Sequence, residues 1–179
     1  MIEKTIEKGI APKSDVAIVF SGPFTYDAPH RLALDTMARV LQGRLFDTIR
    51  QELGGTYSIT AIPTARKTPR PEYRVRIEWT CDPQRTSALV KRVFEEVAFV
   101  KTTRLTPEQM SRLREGLVRD YQVNSQENRY ALDQIVRRYE DGDLATFSDI
   151  DDVPGRIAAL TSEAIQEAAQ TYLDTGNYV

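Results

Sequence analysis

Two residues near the middle of the chain, Arg50 and Tyr57, have side chains that could act together on a substrate. They stand seven residues apart in the stretch RQELGGTYS, with Gly54 and Gly55 between them. A guanidinium and a phenol both donate hydrogen bonds, and a tight turn at the glycines could set the two side chains beside each other for chemistry. The alternative is structural, with Arg50 as a favourable cation at a helix C-terminus and Tyr57 as a half-buried strand aromatic.

Metal chemistry finds little support in the sequence. The one histidine, His30, has no second histidine at helical spacing, and paired histidines around a glutamate are absent. A zinc pair of His30 and Cys81 would still need two further ligands. We therefore expect no metal and no cofactor in this chain, with His30 as a surface or capping residue and Cys81 as part of the core.

Other charged segments are typical of solvated connections. The acidic run EDGDLATFSDIDD, residues 140–152, lacks the regular oxygen-ligand spacing and the closing glutamate of a calcium loop. The basic loop at residues 65–72 has no aromatic residues interleaved for base stacking. The net charge of −2 favours neither nucleic acid nor a membrane surface as partner. With no motif around His30, a serine–histidine–acid triad is not supported.

Length and composition predict a single domain over residues 1–179. Apolar residues make up 41% and charged residues 28%, which is ordinary for a soluble globular protein. A single cysteine excludes an internal disulfide, so packing has to hold the fold. The sequence contains no run of about 18 apolar residues, so we expect no membrane-spanning helix. The sequence does not determine the compartment. The cytoplasm is one possibility, and the periplasm or the outside of the cell is another if the chain is part of a longer precursor.

The element that carries Arg50 is a long predicted helix, Pro29–Leu53. Its apolar residues recur at three- and four-residue steps and are Leu34, Met37, Ala38, Leu41, Leu45 and Ile49. Gly43 inside the helix costs roughly 1 kcal/mol relative to alanine, which predicts close approach of a neighbouring element. Gly54 is placed to end the helix in the left-handed conformation.

Strands flank this helix in the sequence. Residues 2–10 alternate loosely and predict an edge strand, and residues 15–24 predict a central strand. A weaker alternation begins at residue 57. The strict alternation of YRVRIEWTC, residues 73–81, predicts a half-buried strand that pairs with it as a hairpin.

Helices fill the rest of the chain. Thr106 to Gln109 carry a helix start with a capping box, and a similar start follows Leu160. Between these starts, two apolar stripes at helical spacing are Met110, Leu113, Leu117 and Tyr121, and then Leu132, Ile135, Val136 and Tyr139. The order of elements predicts an α+β domain, with an antiparallel or mixed β-sheet and helices packed on one face.

The stretch LFDTIRQELGGTYS, residues 45–58, resembles a signature of the pitrilysin/insulinase family of zinc metallopeptidases, the inverzincins. It matches the later, non-zinc half of that family, in which an arginine and a tyrosine have the spacing of Arg50 and Tyr57. The likeness continues in Gly-Pro-Phe before the helix, in Pro71–Tyr73 and in the Thr-Pro-Glu helix start. It also includes the closing Leu-Thr-x-Glu helix and Asn177-Tyr178-Val179, and so covers almost the whole chain.

The resemblance implies a half-domain with a mitochondrial-processing-peptidase-like fold that works opposite a similar half. The other half, with His-x-x-Glu-His and a distal glutamate, would hold zinc and the general base, whereas this chain departs from that pattern. Arg50 and Tyr57 would contact the carbonyl oxygen of a peptide substrate and stabilise its negative charge. Gly54 and Gly55 would fold the tyrosine back alongside the arginine and help to bind substrate.

The resemblance thus implies two partners, a peptide substrate and a zinc-bearing homologous half-domain or subunit, with this chain inactive alone. The final residues look like the opening of a further strand, so we expect a fragment or subunit of a larger peptidase. A scaffold protein of the same fold with no proteolytic role stays open, although a scaffold needs neither Arg50 nor Tyr57. An unrelated α+β binding domain is a third and weaker possibility.

Overall fold

A three-stranded antiparallel β-sheet organises the described residues. The structure is a computed structural model that describes residues 2–6, 12–53, 59–142 and 152–179, with the backbone alone at 50–53. Strand β1 (Ser14–Pro23) and strand β2 (Ile59–Arg66) pair on opposite sides of strand β3 (Glu72–Cys81). The predicted hairpin is therefore confirmed, and the antiparallel form of the predicted sheet is the one observed.

Six α-helices accompany this sheet in the described part of the chain. They are α1 (Ala28–Leu53), α2 (Thr86–Thr102), α3 (Pro107–Asn124), α4 (Asn128–Glu140), α5 (Val153–Ala159) and α6 (Ser162–Tyr172). A 3₁₀ turn over Pro83–Arg85 precedes α2. Among these described helices, none combines the length and the apolar character needed to cross a bilayer. The predicted α+β class is confirmed.

The alternation of β3 separates a covered face of the sheet from an open one. Its buried residues are Tyr73, Val75, Ile77, Trp79 and Cys81. Arg74 and Arg76, between them, are exposed on the other face. Helix α1 packs against β2 and against α2. Within this unit, helix packing thus covers one face of the sheet, as its period-two pattern predicted.

The chain divides into two compact units. The first comprises Met1–Arg104 with Glu163–Val179, and the second comprises Leu105–Ser162. In the first unit, the Lys101 ammonium donates to the carbonyl of Leu173 at 3.0 Å, which ties the end of α2 to the end of α6. That one domain spans residues 1–179 stays a prediction.

Within the second unit, α3 begins at the predicted capping box. The Thr106 hydroxyl accepts from the backbone N–H of Gln109 at 3.2 Å, and the Gln109 side chain accepts from the N–H of Thr106 at 2.8 Å. The Arg114 guanidinium donates to the carbonyl of Leu160 at 2.5 Å, which joins α3 to the residue after α5. The helix start read from the sequence is therefore confirmed.

Of the two ends of the chain, the first departs from the sequence expectation and the last agrees with it. Residues 2–6 form no strand, and residues 7–10 of the expected edge strand lie outside the described residues. The C-terminus pairs with β1 instead, because the N–H and C=O of Val19 bond to Val179 at 2.8 and 3.0 Å. Phe20 and Tyr178 form an isolated antiparallel bridge. The strand-like character predicted for the last residues is therefore confirmed.

Gly43 is not a point of close approach, and that expectation is wrong. A Cβ built on Gly43 would meet no atom within 4 Å. The residue lies on the exposed side of α1, so none of the described elements covers this position.

We predict that Gly43→Ala stabilises the chain by roughly 0.5–1 kcal/mol, because alanine restricts the unfolded chain and clashes with nothing. The free energy of unfolding from urea titration measures the change.

Gly142 provides the matched control. It is also free of atoms within 4 Å of a built Cβ, but its φ is +69°. Gly142→Ala is expected to destabilise, because an L side chain is disfavoured in that left-handed conformation. Stabilisation by both substitutions, or by neither, would contradict the account of Gly43.

Candidate functional site

Arg50 lies in the last turn of α1, which ends at Leu53. Its backbone is helical, and its side chain is outside the described part of the structure. Gly54, Gly55 and Tyr57 also lie outside the described residues. The helical setting predicted for Arg50 is observed, whereas its juxtaposition with Tyr57 and the roles of the two glycines stay predictions.

The described structure shows how the two elements on either side of this segment are held. Gln42 on α1 uses both ends of its side-chain amide on β2. Its Nε2 donates to the carbonyl of Ile59 at 2.7 Å, and its Oε1 accepts from the N–H of Ala61 at 2.5 Å. This double hydrogen bond joins α1 to the first residues of β2. It fixes the start of the strand that follows Tyr57 by two residues.

Helix α1 itself is fixed by burial of one face. The buried residues of that face are Leu34, Met37, Ala38, Leu41, Leu45 and Ile49, each at most 1% exposed. Burying a large aliphatic side chain stabilises the fold by about 1.5–3 kcal/mol relative to exposing it. The stripe extends to the residue before Arg50. Rotation or sliding of the helix would therefore expose several of these side chains.

A buried charge fastens the same end of α1 to α2. The Glu96 carboxylate accepts from Arg44 Nε at 2.7 Å and from the Thr48 hydroxyl at 2.9 Å. The Arg44 guanidinium also lies over the ring of Phe99, 3.5 Å from its centroid. A carboxylate with its side chain only 7% exposed needs such partners, because an unpaired buried charge is strongly destabilising.

No metal centre is formed by the described residues, which contain no group of three or more histidine, cysteine, aspartate or glutamate side chains able to share an ion. The His30 ring Nδ1 lies 2.7 Å from Asp27 Oδ1 in an exposed pair. Cys81 is buried, with its Sγ 3.5 Å from the Thr86 hydroxyl. These described residues therefore do not fit zinc. The predictions that His30 lies at the surface and Cys81 in the core are confirmed.

The structure contains an aromatic cluster that was not predicted from the sequence. The rings of Tyr73 and Tyr172 are 4.7 Å apart, and Phe24 lies 5.4 Å from Tyr172. Burial raises the pKa of both tyrosines, with Asp174 adding to the effect at Tyr73 and Asp27 at Tyr172. No periodicity could have joined residues so distant in sequence. The cluster packs α6 against β3 in the same unit as α1.

The family of the chain follows from a comparison with protein-family models. Residues 2–117 match the family described as the peptidase M16 inactive domain, and the chain belongs to this family. The resemblance to the non-zinc half of a zinc metallopeptidase is thereby confirmed. In the comparison with curated proteins, none matches this chain.

Solved structures share the fold at low sequence identity. The periplasmic protease PqqL from Escherichia coli has a TM-score of 0.75 at 18% identity, over 91% of this chain and 18% of that one. The peptidase M16 inactive domain from Pseudomonas fluorescens has a TM-score of 0.71 at 17% identity, over 94% of this chain and 40% of that one. An inactive peptidase domain from Bordetella parapertussis has a TM-score of 0.71 at 15% identity, over 93% and 90%.

The chain thus spans under a fifth of PqqL and two fifths of the Pseudomonas fluorescens chain, but nine tenths of the Bordetella parapertussis chain.

The hydrogen bonds of Gln42 lead to a first prediction for this region. Gln42→Met preserves the length of the side chain but leaves the Ile59 carbonyl and the Ala61 N–H without their partner. We expect a loss of about 1–3 kcal/mol in the free energy of unfolding, measured by urea titration. Gln126→Met, in an exposed turn of the second unit, serves as the control and should change little. Equal effects of the two substitutions would show that the hydrogen bonds of Gln42 do not stabilise the contact between α1 and β2.

The start of α1 leads to a second prediction. Asp27 accepts from the backbone N–H of His30 at 2.8 Å, which caps the helix. Burial favours a higher pKa for this carboxyl, but hydrogen bonds from the His30 backbone and ring outweigh it and lower the pKa below its ordinary value. Asp27→Ala is expected to cost about 1 kcal/mol.

The lowered pKa of Asp27 also fixes the sign of a pH effect. The stabilisation is present above the unfolded pKa, about 4, and is lost as the pH falls through the lower folded pKa. Asp27→Asn retains a capping oxygen without a charge. The stability difference between the natural chain and Asp27→Asn should therefore shrink from pH 5 towards pH 3 in denaturant titrations. If this stability difference instead grew between pH 5 and pH 3, the pKa of Asp27 would be raised in the folded chain and the assigned direction would be wrong.

Proposed function

We propose that this chain is the non-zinc half of a two-half zinc peptidase, in which Arg50 and Tyr57 contact the carbonyl oxygen of a bound peptide. One observation carries the proposal: in a member of the peptidase M16 inactive-domain family, Arg50 occupies the last helical turn, seven residues before Tyr57. The chain binds peptide and supports cleavage, but it is inactive alone.

The chemistry of the two side chains suits this role. Hydrolysis of a peptide places negative charge on the carbonyl oxygen as the carbon becomes tetrahedral. A guanidinium is always charged and a tyrosine hydroxyl is a neutral donor, so both can hydrogen-bond that oxygen without giving up a proton. Donors held in place before the reaction stabilise the charge more than mobile ones do.

The connection between α1 and β2 supports the proposed placement. Gln42 bonds the start of β2 to α1, so residues 54–58 link two elements that are already held together. Within that short span, Gly54 and Gly55 supply the conformational freedom for a sharp reversal. We propose that this reversal brings Tyr57 beside Arg50 and leaves backbone groups of the glycines able to contact substrate.

The zinc and the general base belong, on this proposal, to a homologous half. The described residues of this chain offer no ligand set for the ion. The chain also spans only 18% of PqqL and 40% of the Pseudomonas fluorescens chain, which leaves room in such proteins for another half. We accordingly propose that residues 1–179 form one domain of a larger protein or one subunit of an assembly.

A direct test uses the chain reconstituted with a zinc-bearing half, encoded on the same precursor or beside it. Arg50→Ala and Tyr57→Phe should each lower kcat/KM for a quenched fluorescent peptide by about 10²–10³-fold, because each removes one donor to the developing charge. Binding of the same peptide to the zinc-depleted assembly should change far less for Tyr57→Phe.

Asp47→Asn is the matched control, since Asp47 lies exposed on the same helix one turn earlier. It should leave kcat/KM unchanged. Full activity of both Arg50→Ala and Tyr57→Phe would contradict the proposed contacts with the carbonyl oxygen, whereas an assembly without any peptidase activity would favour the scaffold role. Stoichiometric zinc bound by this chain alone would contradict the division of labour.

A further inference from the structure

Helix α4 exposes its apolar side and turns a mixed side inward. Its exposed apolar residues, called here the apolar stripe, are Leu132 (58% exposed), Ile135 (46%), Val136 (43%) and Tyr139 (72%). The half-buried residues of the same helix are Tyr130, Gln134 and Arg138. A surface helix ordinarily shows the reverse arrangement. The apolar stripe therefore has the spacing of a packing surface, but no described residue of the chain covers it.

The spacing of the apolar stripe suits contact with another helix. Its members are separated by three, one and three residues, so they lie on one face, two turns long. A face of this kind is typical of the seam between two paired helices. The occupant is therefore expected to be helical as well.

A row of exposed charges, called here the charged edge, runs beside the apolar stripe. In chain order its members are Arg129, Asp133, Arg137 and Glu140. At about 100° per residue, these four side chains fall within one quadrant of the helix. Their signs alternate along the edge, positive, negative, positive, negative. Arg129 and Asp133 approach within 3.7 Å while 89% and 61% exposed, so water screens their attraction.

When two copies of α4 lie antiparallel, the apolar stripe of one matches that of the other, and so does the charged edge. A two-fold axis beside Ile135 places Leu132 opposite Tyr139 of a second copy. The same operation keeps each charged edge on one side of the pair, as an isologous contact requires. It sets Arg129 opposite Glu140, and Asp133 opposite Arg137. Each pair carries opposite charges and occurs twice.

We propose that a second copy of this chain covers the apolar stripe, through antiparallel pairing of α4 with α4 about a two-fold axis. The order of charges along the charged edge favours a second copy as the partner. A different protein would bind without the charged edge having to match its own reversed copy. The pairing is independent of the peptidase role, since none of its residues belongs to the candidate site.

The contact is small, and the association is correspondingly weak. Four large side chains on each helix fall well short of the roughly 800 Å² per partner of a standard interface. We expect a dissociation constant on the order of 100 µM, so the dimer forms in a concentration-dependent manner. Sedimentation velocity across that range measures it.

The first arm of the test removes the apolar contact. Ile135→Lys places two like charges beside the axis and should weaken association at least tenfold. Val123→Lys is the control, because Val123 is 59% exposed near the end of α3 and lies outside the apolar stripe. Circular dichroism confirms that each variant keeps its helices.

The second arm exchanges charges and depends only on exposed residues. Arg129→Glu and Glu140→Arg should each weaken self-association several-fold, because each makes like charges face one another at both ends. An equimolar mixture of the two variants restores opposite charges at both ends and should recover the natural affinity. Arg129 and Glu140 are about 16 Å apart along one helix, so only pairing between chains explains recovery.

Each remaining outcome overturns the proposal. A chain that stays monomeric well above the expected dissociation constant shows that no second copy binds. A dimer insensitive to Ile135→Lys uses another surface. A dimer lost in Ile135→Lys but not recovered in the mixture is not paired in the antiparallel register.

Discussion

The bond between Gln42 and the edge of β2 is the interaction on which the region around the candidate site depends. β2 is an edge strand, so half of its backbone groups lack a neighbouring strand. The amide of Gln42 supplies one donor and one acceptor to Ile59 and Ala61, as a strand would. Pro63, which has no N–H to satisfy, follows at the next outward position. The edge is thereby closed at its start without another strand.

This bond works together with the buried carboxylate of Glu96. Gln42 fixes α1 to the sheet, while Arg44 and Thr48 fix it to α2 through that carboxylate. The two fastenings lie within about three turns of the end of α1, on elements of one compact unit. A helix end held from two directions is suited to present a charged side chain at a defined place.

The elements with a strict period could be predicted from the sequence. The alternation of residues 73–81 gave β3 and its buried face, and the three- and four-residue steps gave the buried face of α1. The capping box before α3 could be read directly, because it is a local device. Periodicity states which residues share a face, but not what lies opposite. Hence the exposed position of Gly43 and the outward apolar face of α4 were not foreseen.

Contacts between segments distant in the chain could not be predicted from the sequence either. Gln42 meets Ile59 across 17 residues, and Arg44 meets Glu96 across 52, with no pattern connecting either pair. For the candidate site, the family resemblance of residues 45–58 singles out Arg50 and Tyr57 as candidates, and the helix predicted around Arg50 is observed. Their relation in space depends on side-chain geometry that spacing does not determine.

The central claim is that Arg50 and Tyr57 complete a catalytic site whose metal belongs to another half. The most direct measurement is a crystal structure of this chain with its zinc-bearing half and a phosphinic peptide, whose tetrahedral phosphorus mimics the attacked carbon. The account predicts the Arg50 guanidinium and the Tyr57 hydroxyl within hydrogen-bond distance, about 2.6–3.2 Å, of one phosphinyl oxygen. Both side chains turned away from the peptide in a fully occupied complex would contradict it.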